Sequence, residues 1–383
     1  MSATATQVNP KSRLTSLRTL AYFAAAPPTR GLPSFYETLA AATGGAPPAE
    51  GDLETLQAHS ITTCEEVVAL ARIDRDLGTT FVRDLDLSPS WVERLEEGLA
   101  STAAGATELQ DWKRYDQFDY AYGLDLGETA EPDAPAPQDL GASAALLGAP
   151  ASKPAGINWI DPILPPIRDQ MDRGTCVAFA SVACLEYHLG LQAGKPQDLS
   201  EQFAYWNMVR STGQHNLRSG FPLLRDSGVC RDATWHYYGK EIAGNDSQDP
   251  APENAASEAL NLRCTEVLQL SARSIADLKE ALAARRLIAV GIPVYRSWMK
   301  SAAVRKYGNI TLPVPGEVPE NIGHAIALVG YQDDEDFAGG GYFVVRNSWD
   351  HYWGTESPFG SGYGTLPYRY IERFNWDAWC ILR

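Results

Sequence analysis

The chain has 383 residues and carries 48 acidic against 32 basic side chains, a formal net charge of −16. A surface of that sign repels a phosphate backbone, so we expect no nucleic-acid partner. Apolar residues make up 44% of the sequence and include ten tryptophans, which is enough for a sizeable core. The length predicts about two domains, and we expect no segment long enough to cross a membrane, hence no membrane partner.

The cysteines are scattered and contain no Cys-x-x-Cys pair, so neither a zinc site nor any other metal or cofactor is implied. A disulfide framework is not predicted, although a single bridge stays open. The apolar run from Leu20 to Ala26 is too short for a typical signal peptide. We therefore predict a cytoplasmic protein, with secretion as the less favoured alternative.

The N-terminal region has a helical pattern. Short helices are predicted from Ser16 to Ala26 and from Pro33 to Ala42, and helical periodicity runs from Leu53 to Leu99. Within that stretch, Thr62-Thr63-Cys64-Glu65 has the pattern of a capped helix start, and Ser88 with the following proline begins another helix. The pattern predicts a small all-α domain within residues 1–127.

A composition change separates this region from the rest of the chain. Residues 108–126 are aromatic and charged, and residues 128–156 are rich in proline, alanine and acidic side chains. Such a composition favours an extended linker over packed structure. The predicted domains are thus an accessory or pro-region at 1–127, a linker at 128–156 and a second domain at 157–383.

The most informative stretch of the second domain surrounds Cys176. A polar turn ends there, and apolar side chains then recur at three- and four-residue steps from Val177 to Leu191, which predicts a helix with one buried face. Cys176 falls in its first turn, where backbone N–H groups lack intrahelical partners and the helix dipole favours an anion. A thiol at that position ionises more easily, and the thiolate is the nucleophile.

Further elements follow in a consistent order. Ser200 and Ser274 are predicted to cap helices that end near Val209 and Arg286, and residues 216–220 are predicted to form a loop. Strands are predicted at residues 287–294, 325–331, 342–346, 362–371 and 379–382. Because the helices come first and the strands later, the fold class is α+β.

Three segments of the second domain, in this order, resemble the active-site motifs of papain-like cysteine peptidases of bacterial type. They are Pro-Ile-Arg-Asp-Gln at 166–170 leading into Gly-Thr-Cys at 174–176, the strand beginning Gly-His-Ala at 323–325, and Arg-Asn-Ser-Trp at 346–349. The resemblance covers residues 157–383. It implies a two-lobed papain-like fold, with a helical lobe and a β-barrel lobe, preceded here by an extra N-terminal helical region.

The resemblance also implies a catalytic role for four residues. Cys176 would be the nucleophile, and His324 would take the thiol proton and later protonate the leaving amine. Asn347 would hold the imidazole in one tautomer, as the third group of a triad does. Gln170 would donate its side-chain N–H to the oxyanion, together with the backbone N–H of Cys176.

Substrate contacts follow from a further resemblance. Ser-Gly-Phe-Pro at 219–222 is similar to the family's Gly-Gly-Tyr-Pro. Gly220 would pair with the substrate backbone, and Phe221, Pro222 and Ala325 would line an apolar pocket. A structural turn at 219–222 is the alternative. Trp349, which we group with these residues, would shield the hydrogen bond between Asn347 and the histidine from water.

Three positions depart from the family pattern. Val177 replaces the usual tryptophan after the nucleophile, and Met171 replaces the usual glycine after Gln170. Arg173 stands where secreted papain relatives usually carry a disulfide cysteine, which argues for a reducing compartment.

The sequence therefore predicts a cysteine endopeptidase that hydrolyses protein or peptide substrates through an acyl-enzyme intermediate. Two alternatives stay open: a transpeptidase or acyl transferase with the same thioester chemistry, and an inactive papain-fold module that binds peptides. The N-terminal helical region is interpreted as a packed accessory domain, as an inhibitory pro-region cleaved in the linker, or as a docking site for a protein partner.

Overall fold

A computed structural model describes residues 50–115 and 154–383, apart from 213, 214 and 241–250. It also describes Leu124 and single positions or short runs between residues 10 and 43. The helices predicted at 16–26 and 33–42 lie almost wholly outside the described residues. The same holds for the predicted linker, of which only residues 154–156 are described.

The N-terminal region is helical, as predicted. Its described helices are α1 (Glu50–Ala58), α2 (Cys64–Leu77), α3 (Phe81–Asp84), α4 (Pro89–Ala100) and α5 (Ala103–Asp111), followed by one 3₁₀ turn (Trp112–Arg114). The capped start predicted at residues 62–65 is formed by Thr63 with Glu66: the Thr63 hydroxyl accepts the backbone N–H of Glu66, and the Glu66 carboxylate accepts the backbone N–H of Thr63. These paired bonds fix where α2 begins.

The N-terminal helices share a core with the second domain. Leu56, Val68 and Trp112 are among its fully buried side chains, and Ala303 and Val314 of the second domain pack into the same cluster. The helical region therefore packs directly against the second domain.

The helical lobe of the second domain is built on one central helix. After β1 (Gly156–Asn158) come α6 (Cys176–Ala193), α7 (Glu201–Thr212), α8 (Leu217–Asp226) and α9 (Ala255–Ala259). The expectation of one buried face on α6 is wrong, because every residue from 176 to 187 is buried. Helices α7 and α8 cover one side of α6 and the sheet covers the other.

Helix α6 also corrects the expectation about membrane segments. Its 18 residues are long and apolar enough to cross a membrane, but 72% of them are buried inside the protein. A helix that is apolar all round and enclosed by protein is a core helix.

The predicted loop at 216–220 is wrong. Helix α8 begins at Leu217, because the Asn216 side chain accepts the backbone N–H of Ser219 and caps the helix. Pro222 lies inside this helix, although proline usually breaks one.

The remaining elements include the helix and the five strands predicted for this part of the chain, together with five elements that were not predicted. They are β2 (Val267–Gln269), α10 (Ile275–Ala283), β3 (Ile288–Ile292), α11 (Arg296–Met299), α12 (Ala302–Tyr307), β4 (His324–Asp333), β5 (Gly341–Arg346), a 3₁₀ turn (Asp350–Tyr352), β6 (Tyr363–Pro367), α13 (Tyr368–Phe374) and β7 (Asp377–Ile381). The strand predicted at 362–371 is too long, since it ends at Pro367 and a helix follows.

The strands form one antiparallel sheet in the order β2-β7-β3-β4-β5-β6, with β1 added on β4. Alternate side chains point to opposite faces of a strand. Ala325 and Val329 of β4 accordingly face the helical lobe, whereas Ile326 and Leu328 face a second core enclosed by the sheet and helices α10 to α13. This two-lobed α+β arrangement places the first turn of α6 against the first residues of β4.

Candidate active site

Cys176 is the first residue of α6, and Thr175 precedes the helix as its N-cap. The Cys176 side chain is fully buried, and its Sγ accepts the backbone N–H of Ala325 at 3.4 Å. Because Ala325 follows His324 directly, this contact brings the thiol of one lobe to the histidine position of the other. Ala325 itself is 1% exposed and pairs with Gly291 on β3.

His324 is held by two side chains that follow β5. Its Nε2 lies 2.8 Å from Asn347 Oδ1, and its ring stacks on Trp349 with centroids 4.6 Å apart and planes 24° apart. The Asn347 oxygen also accepts the backbone N–H of Ser348 at 2.9 Å, which orients the carboxamide. An oxygen acceptor requires the proton on Nε2, which leaves the Nδ1 lone pair available.

The environment of His324 favours the neutral ring. Burial lowers the pKa of His324 to about 4, and the hydrogen bond to Asn347 opposes that shift. Its Nδ1 is buried and has no hydrogen-bond partner among the described residues. A neutral ring with a free lone pair on Nδ1 is ready to accept a proton from a neighbouring thiol.

Gln170 is fully buried beside the same residues. Its Oε1 accepts the Ser348 hydroxyl at 2.6 Å, and its Nε2 donates to the Arg173 carbonyl at 2.9 Å. A primary amide has two N–H groups, so one donor remains beyond the bond to Arg173. Ser348 thus orients Gln170 as Asn347 orients His324. Ser348 belongs to the Arg-Asn-Ser-Trp motif at 346–349, but the motif alone does not predict that it orients Gln170.

The substrate contacts predicted at 220–222 are contradicted. The backbone N–H of Gly220 is used inside α8, where it bonds to the Asn216 carbonyl at 3.0 Å. Phe221 is fully buried and stacks on Trp379 with ring centroids 5.8 Å apart. Pro222 is part of the same helix and only half-buried. The capped start of α8 at Leu217 turns all three positions into helix residues, so they do not form the apolar pocket.

Leu124, which is not among the predicted site residues, lies next to the residue that precedes His324. It forms an antiparallel bridge with Gly323, with N···O distances of 3.0 Å and 3.3 Å in the two directions. The side chain is 5% exposed, and a Cβ built on Gly291 would lie 2.8 Å from Leu124 Cδ2 and 3.9 Å from Leu217 Cδ1. Leu124 therefore packs over Gly291, beside the residue that precedes His324. No local pattern in its acidic, aromatic surroundings indicates such a position.

Comparison with known proteins supplies the family. The model of the papain family cysteine proteases matches residues 153–364, more than half of the chain. The chain belongs to the papain family of cysteine proteases. The segments that carry the sequence resemblance all lie inside the matched range.

Several papain-family relatives align with the second domain. Pro-cathepsin H of Mus musculus is 22% identical over 214 residues, which cover 54% of this chain and 59% of the relative. A cathepsin L-like proteinase of Phaedon cochleariae is 27% identical over 207 residues, which cover 52% of this chain and 58% of the relative. The aligned part thus spans less than two thirds of either relative.

A solved structure agrees with the fold. Xylellain, a cysteine protease from Xylella fastidiosa, is 24% identical, with a TM-score of 0.53 over 68% of this chain and 95% of its own. At that identity the likeness shows the papain-like fold alone.

One departure from the papain-family pattern has a visible backbone consequence. Met171 has φ = 51°, in the left-handed region that glycine occupies without penalty. Met171 therefore adopts a backbone conformation that suits glycine, and its side chain packs on Gly239, where an added Cβ would lie 2.1 Å from the Met171 sulfur.

Proposed function

We propose that this papain-family chain is a cysteine endopeptidase acting on protein or peptide substrates. The observation that supports the proposal most directly is the contact chain at the junction of the lobes. Cys176 Sγ touches the residue after His324, and His324 bonds Asn347 at 2.8 Å. The Gln170 carboxamide, whose oxygen accepts the Ser348 hydroxyl, supplies a hydrogen-bond donor near these residues.

The proposed reaction uses these groups in two steps. The Cys176 thiol proton passes to His324 Nδ1, and the sulfur attacks the carbonyl carbon of the scissile peptide bond. The negative charge on the carbonyl oxygen is accepted by Gln170 Nε2–H and the Cys176 backbone N–H. The imidazolium then protonates the leaving amine as the C–N bond breaks. Water, deprotonated by the neutral His324, hydrolyses the thioester and restores the thiol.

We further propose that the described arrangement is a latent form in which Leu124 occupies the cleft. Leu124 pairs with Gly323 through both backbone hydrogen bonds, as an added strand would. Its side chain covers Gly291, the cross-strand neighbour of Ala325, and His324 and Cys176 are both fully buried. A peptide substrate needs access to those two residues, so Leu124 must leave before catalysis.

The proposal is tested in the full chain by changing Leu124→Asp. A carboxylate is strongly disfavoured in an apolar site, so residue 124 is expected to leave the cleft. Cleavage of a quenched peptide pool should then rise by about tenfold or more, since such a burial penalty of at least 1.4 kcal/mol shifts the covered-to-open ratio by that factor.

Two controls make this result specific. The same substitution at Leu77, a leucine that is 48% exposed on α2, should leave cleavage unchanged. Adding Cys176→Ala to the Leu124→Asp chain should abolish cleavage. If the Leu124→Asp chain cleaves no more than its Cys176→Ala counterpart, the endopeptidase proposal fails, and a peptide-binding module becomes the better interpretation. Products joined to an added peptide amine would instead indicate an acyl transferase.

We also propose a reducing compartment, the cytoplasm, for this protein. All six cysteines lie among the described residues, and all are buried and outside any disulfide. Arg173, at the position of a family disulfide cysteine, links its loop to the protein through non-covalent contacts. The N-terminal helices are proposed to restrain the peptidase, and any recruitment of a protein partner would use their outer surface.

A further inference from the structure

Arg173 is a charged side chain in the interior of the helical lobe, at 1% exposure. Its guanidinium lies 4.9 Å from the ring centre of Tyr205 and 5.1 Å from that of Tyr237. One of its nitrogens donates to Gln202 Oε1 at 2.7 Å and to the Tyr238 carbonyl at 3.0 Å. Arg173 thereby links the loop before Cys176 to helix α7 and to the segment at 237–238.

This loop, at residues 170–175, connects two residues with proposed catalytic roles, Gln170 and Cys176. Gln170 begins it and donates to the Arg173 carbonyl, while Thr175 ends it and directly precedes Cys176. Tyr237 joins the two ends: its hydroxyl donates to the Gln170 carbonyl at 2.8 Å and lies 2.7 Å from Thr175 Oγ1. The ring of Tyr237 is thus held by Arg173 on its face, while its hydroxyl holds the catalytic loop.

We propose that Arg173 is a positioning residue for the reaction, acting through Tyr237 on Gln170 and Cys176. A guanidinium suits this place because it stacks on aromatic rings and donates several hydrogen bonds in one plane. The contacts of Arg173 hold it in one orientation, and a non-covalent tie of this kind does not depend on the redox state. The inference rests on the proposed peptidase function.

For a geometric reason, the contacts of Arg173 are expected to affect kcat more than substrate binding. The donor of Gln170 must point at an oxygen that becomes charged only during the reaction. A displacement of about 1 Å at such a group lowers the rate by about 10²-fold. Substrate binding along the cleft does not depend on that donor, so KM should change little.

The test uses the full chain with Leu124→Asp as the uncovered background, and adds Arg173→Met, which keeps much of the volume but removes the charge and the donors. We expect kcat to fall by about tenfold or more while KM stays within about threefold. Tyr237→Phe, which removes one hydroxyl and keeps the ring, should lower kcat in the same way. If Arg173→Met fails to fold, Tyr237→Phe still provides the test.

A double substitution separates positioning from general destabilisation. If Arg173 acts through Gln170, then Arg173→Met together with Gln170→Ala should lower kcat less than the product of the two single effects. The matched control is Arg285→Met, because Arg285 lies 4.6 Å from the ring centre of Trp159, away from the catalytic loop. That variant should leave kcat unchanged.

Alkylation of Cys176 by iodoacetamide gives a readout that needs no hydrolysis. Arg173→Met and Tyr237→Phe should slow it, and Arg285→Met should not. Unchanged alkylation and unchanged kcat in folded Arg173→Met, or full multiplicative effects in the double variant, would overturn the inference. A background chain that is alkylated at Cys176 but cleaves nothing would instead count against the peptidase function, and the alkylation rates would still decide the role of Arg173.

Discussion

At the residue scale, the histidine depends on a single neighbouring oxygen. Asn347 Oδ1 is the only hydrogen-bond partner of the His324 ring among the described residues, at 2.8 Å. Burial of His324 lowers its pKa, and this bond raises it. The bond therefore stabilises the protonated ring that must form during catalysis, besides fixing the tautomer.

Replacing Asn347→Ala should lower kcat/KM by about 10²-fold in the uncovered Leu124→Asp background, since general acid–base function is impaired. The imidazolium loses its partner, so the pKa of His324 falls further. The neutral ring is the proton acceptor, so the acid limb of the pH profile of kcat/KM, where the ring becomes protonated, should move to lower pH. Rates measured from about pH 3 to pH 8 check this shift.

The control for this prediction is Asn309→Ala. Asn309 is another buried asparagine, at 3% exposure, and it accepts the Thr365 hydroxyl at 3.0 Å. Its loss should reduce stability and leave both limbs of the pH profile in place. An acid limb that stays fixed in Asn347→Ala would contradict the role given to Asn347.

The sequence could indicate Cys176, His324 and Asn347 because each lies in a short motif with characteristic neighbours. It could not indicate Ser348 or Tyr237 as orienting residues, because their roles depend on contacts across 178 and 67 positions of the chain. The role expected for Phe221 is wrong for a related reason. The similarity at 219–222 covers only four residues, whereas the cap at Asn216 decides where α8 begins.

At the element scale, two of the glycines that follow helices and have a left-handed backbone can be compared directly. Gly194 ends α6 with φ = 67°, and Gly228 follows α8 with φ = 70°. A Cβ on Gly194 would meet nothing within 4 Å, whereas one on Gly228 would lie 2.0 Å from the Ala259 carbonyl oxygen. The pair therefore separates backbone strain from steric overlap.

Gly194→Ala should reduce the free energy of unfolding by about 1 kcal/mol, the cost of a left-handed alanine. Gly228→Ala should reduce it by about 3 kcal/mol or more, because the same strain is joined by overlap with α9. Urea unfolding of both variants gives the comparison. Equal losses of unfolding free energy would mean that α8 and α9 accommodate the added methyl group at Gly228 without an energetic cost.

Element types were predictable because hydrophobic periodicity and serine or threonine caps are local signals. The burial of α6 on all sides could not be predicted from the sequence. Its small residues are compatible with a solvent-exposed face, and only the packing of α7, α8 and the sheet around them shows that they are buried. Pro222 shows how tertiary context overrides a local rule. Tertiary packing on both sides of α8 keeps a proline inside a helix that sequence rules would end.

At the scale of the whole molecule, the N-terminal helices are held to the second domain by a buried cation. The Lys306 ammonium lies 2.5 Å from Glu108, 3.2 Å from Asp111 and 3.5 Å from Glu356, and its side chain is 5% exposed. Nearby, Arg305 donates to the Tyr115 carbonyl. These contacts hold residues 108–115, a few positions before Leu124.

No sequence signal pointed to this arrangement. Lys306 belongs to a six-residue helix, and a lysine in a short helix is normally exposed. Which surface of the second domain the N-terminal helices cover depends on charges and apolar patches contributed by segments about 200 residues apart. The same applies to Leu124 and its place in the cleft.

Replacing Lys306→Met in the otherwise unchanged chain should reduce stability by about 3 kcal/mol, because clustered carboxylates lose their counter-charge at a buried site. The N-terminal helices should loosen first. Amide exchange in α5 should accelerate more than exchange in α10, which lies in the other core. Since Leu124 is reached through the segment that Lys306 holds, basal peptide cleavage should rise as well.

The matched control for Lys306→Met is Arg296→Met. Arg296 pairs with Glu320 at 2.6 Å, but its side chain is 55% exposed, and an exposed pair contributes only about 0–1 kcal/mol. That variant should leave amide exchange and cleavage unchanged. If Lys306→Met loosens α5 without raising cleavage, the N-terminal helices are held by Lys306 but do not control the cleft. Restraint by Leu124 would then have to act independently of the domain that precedes it.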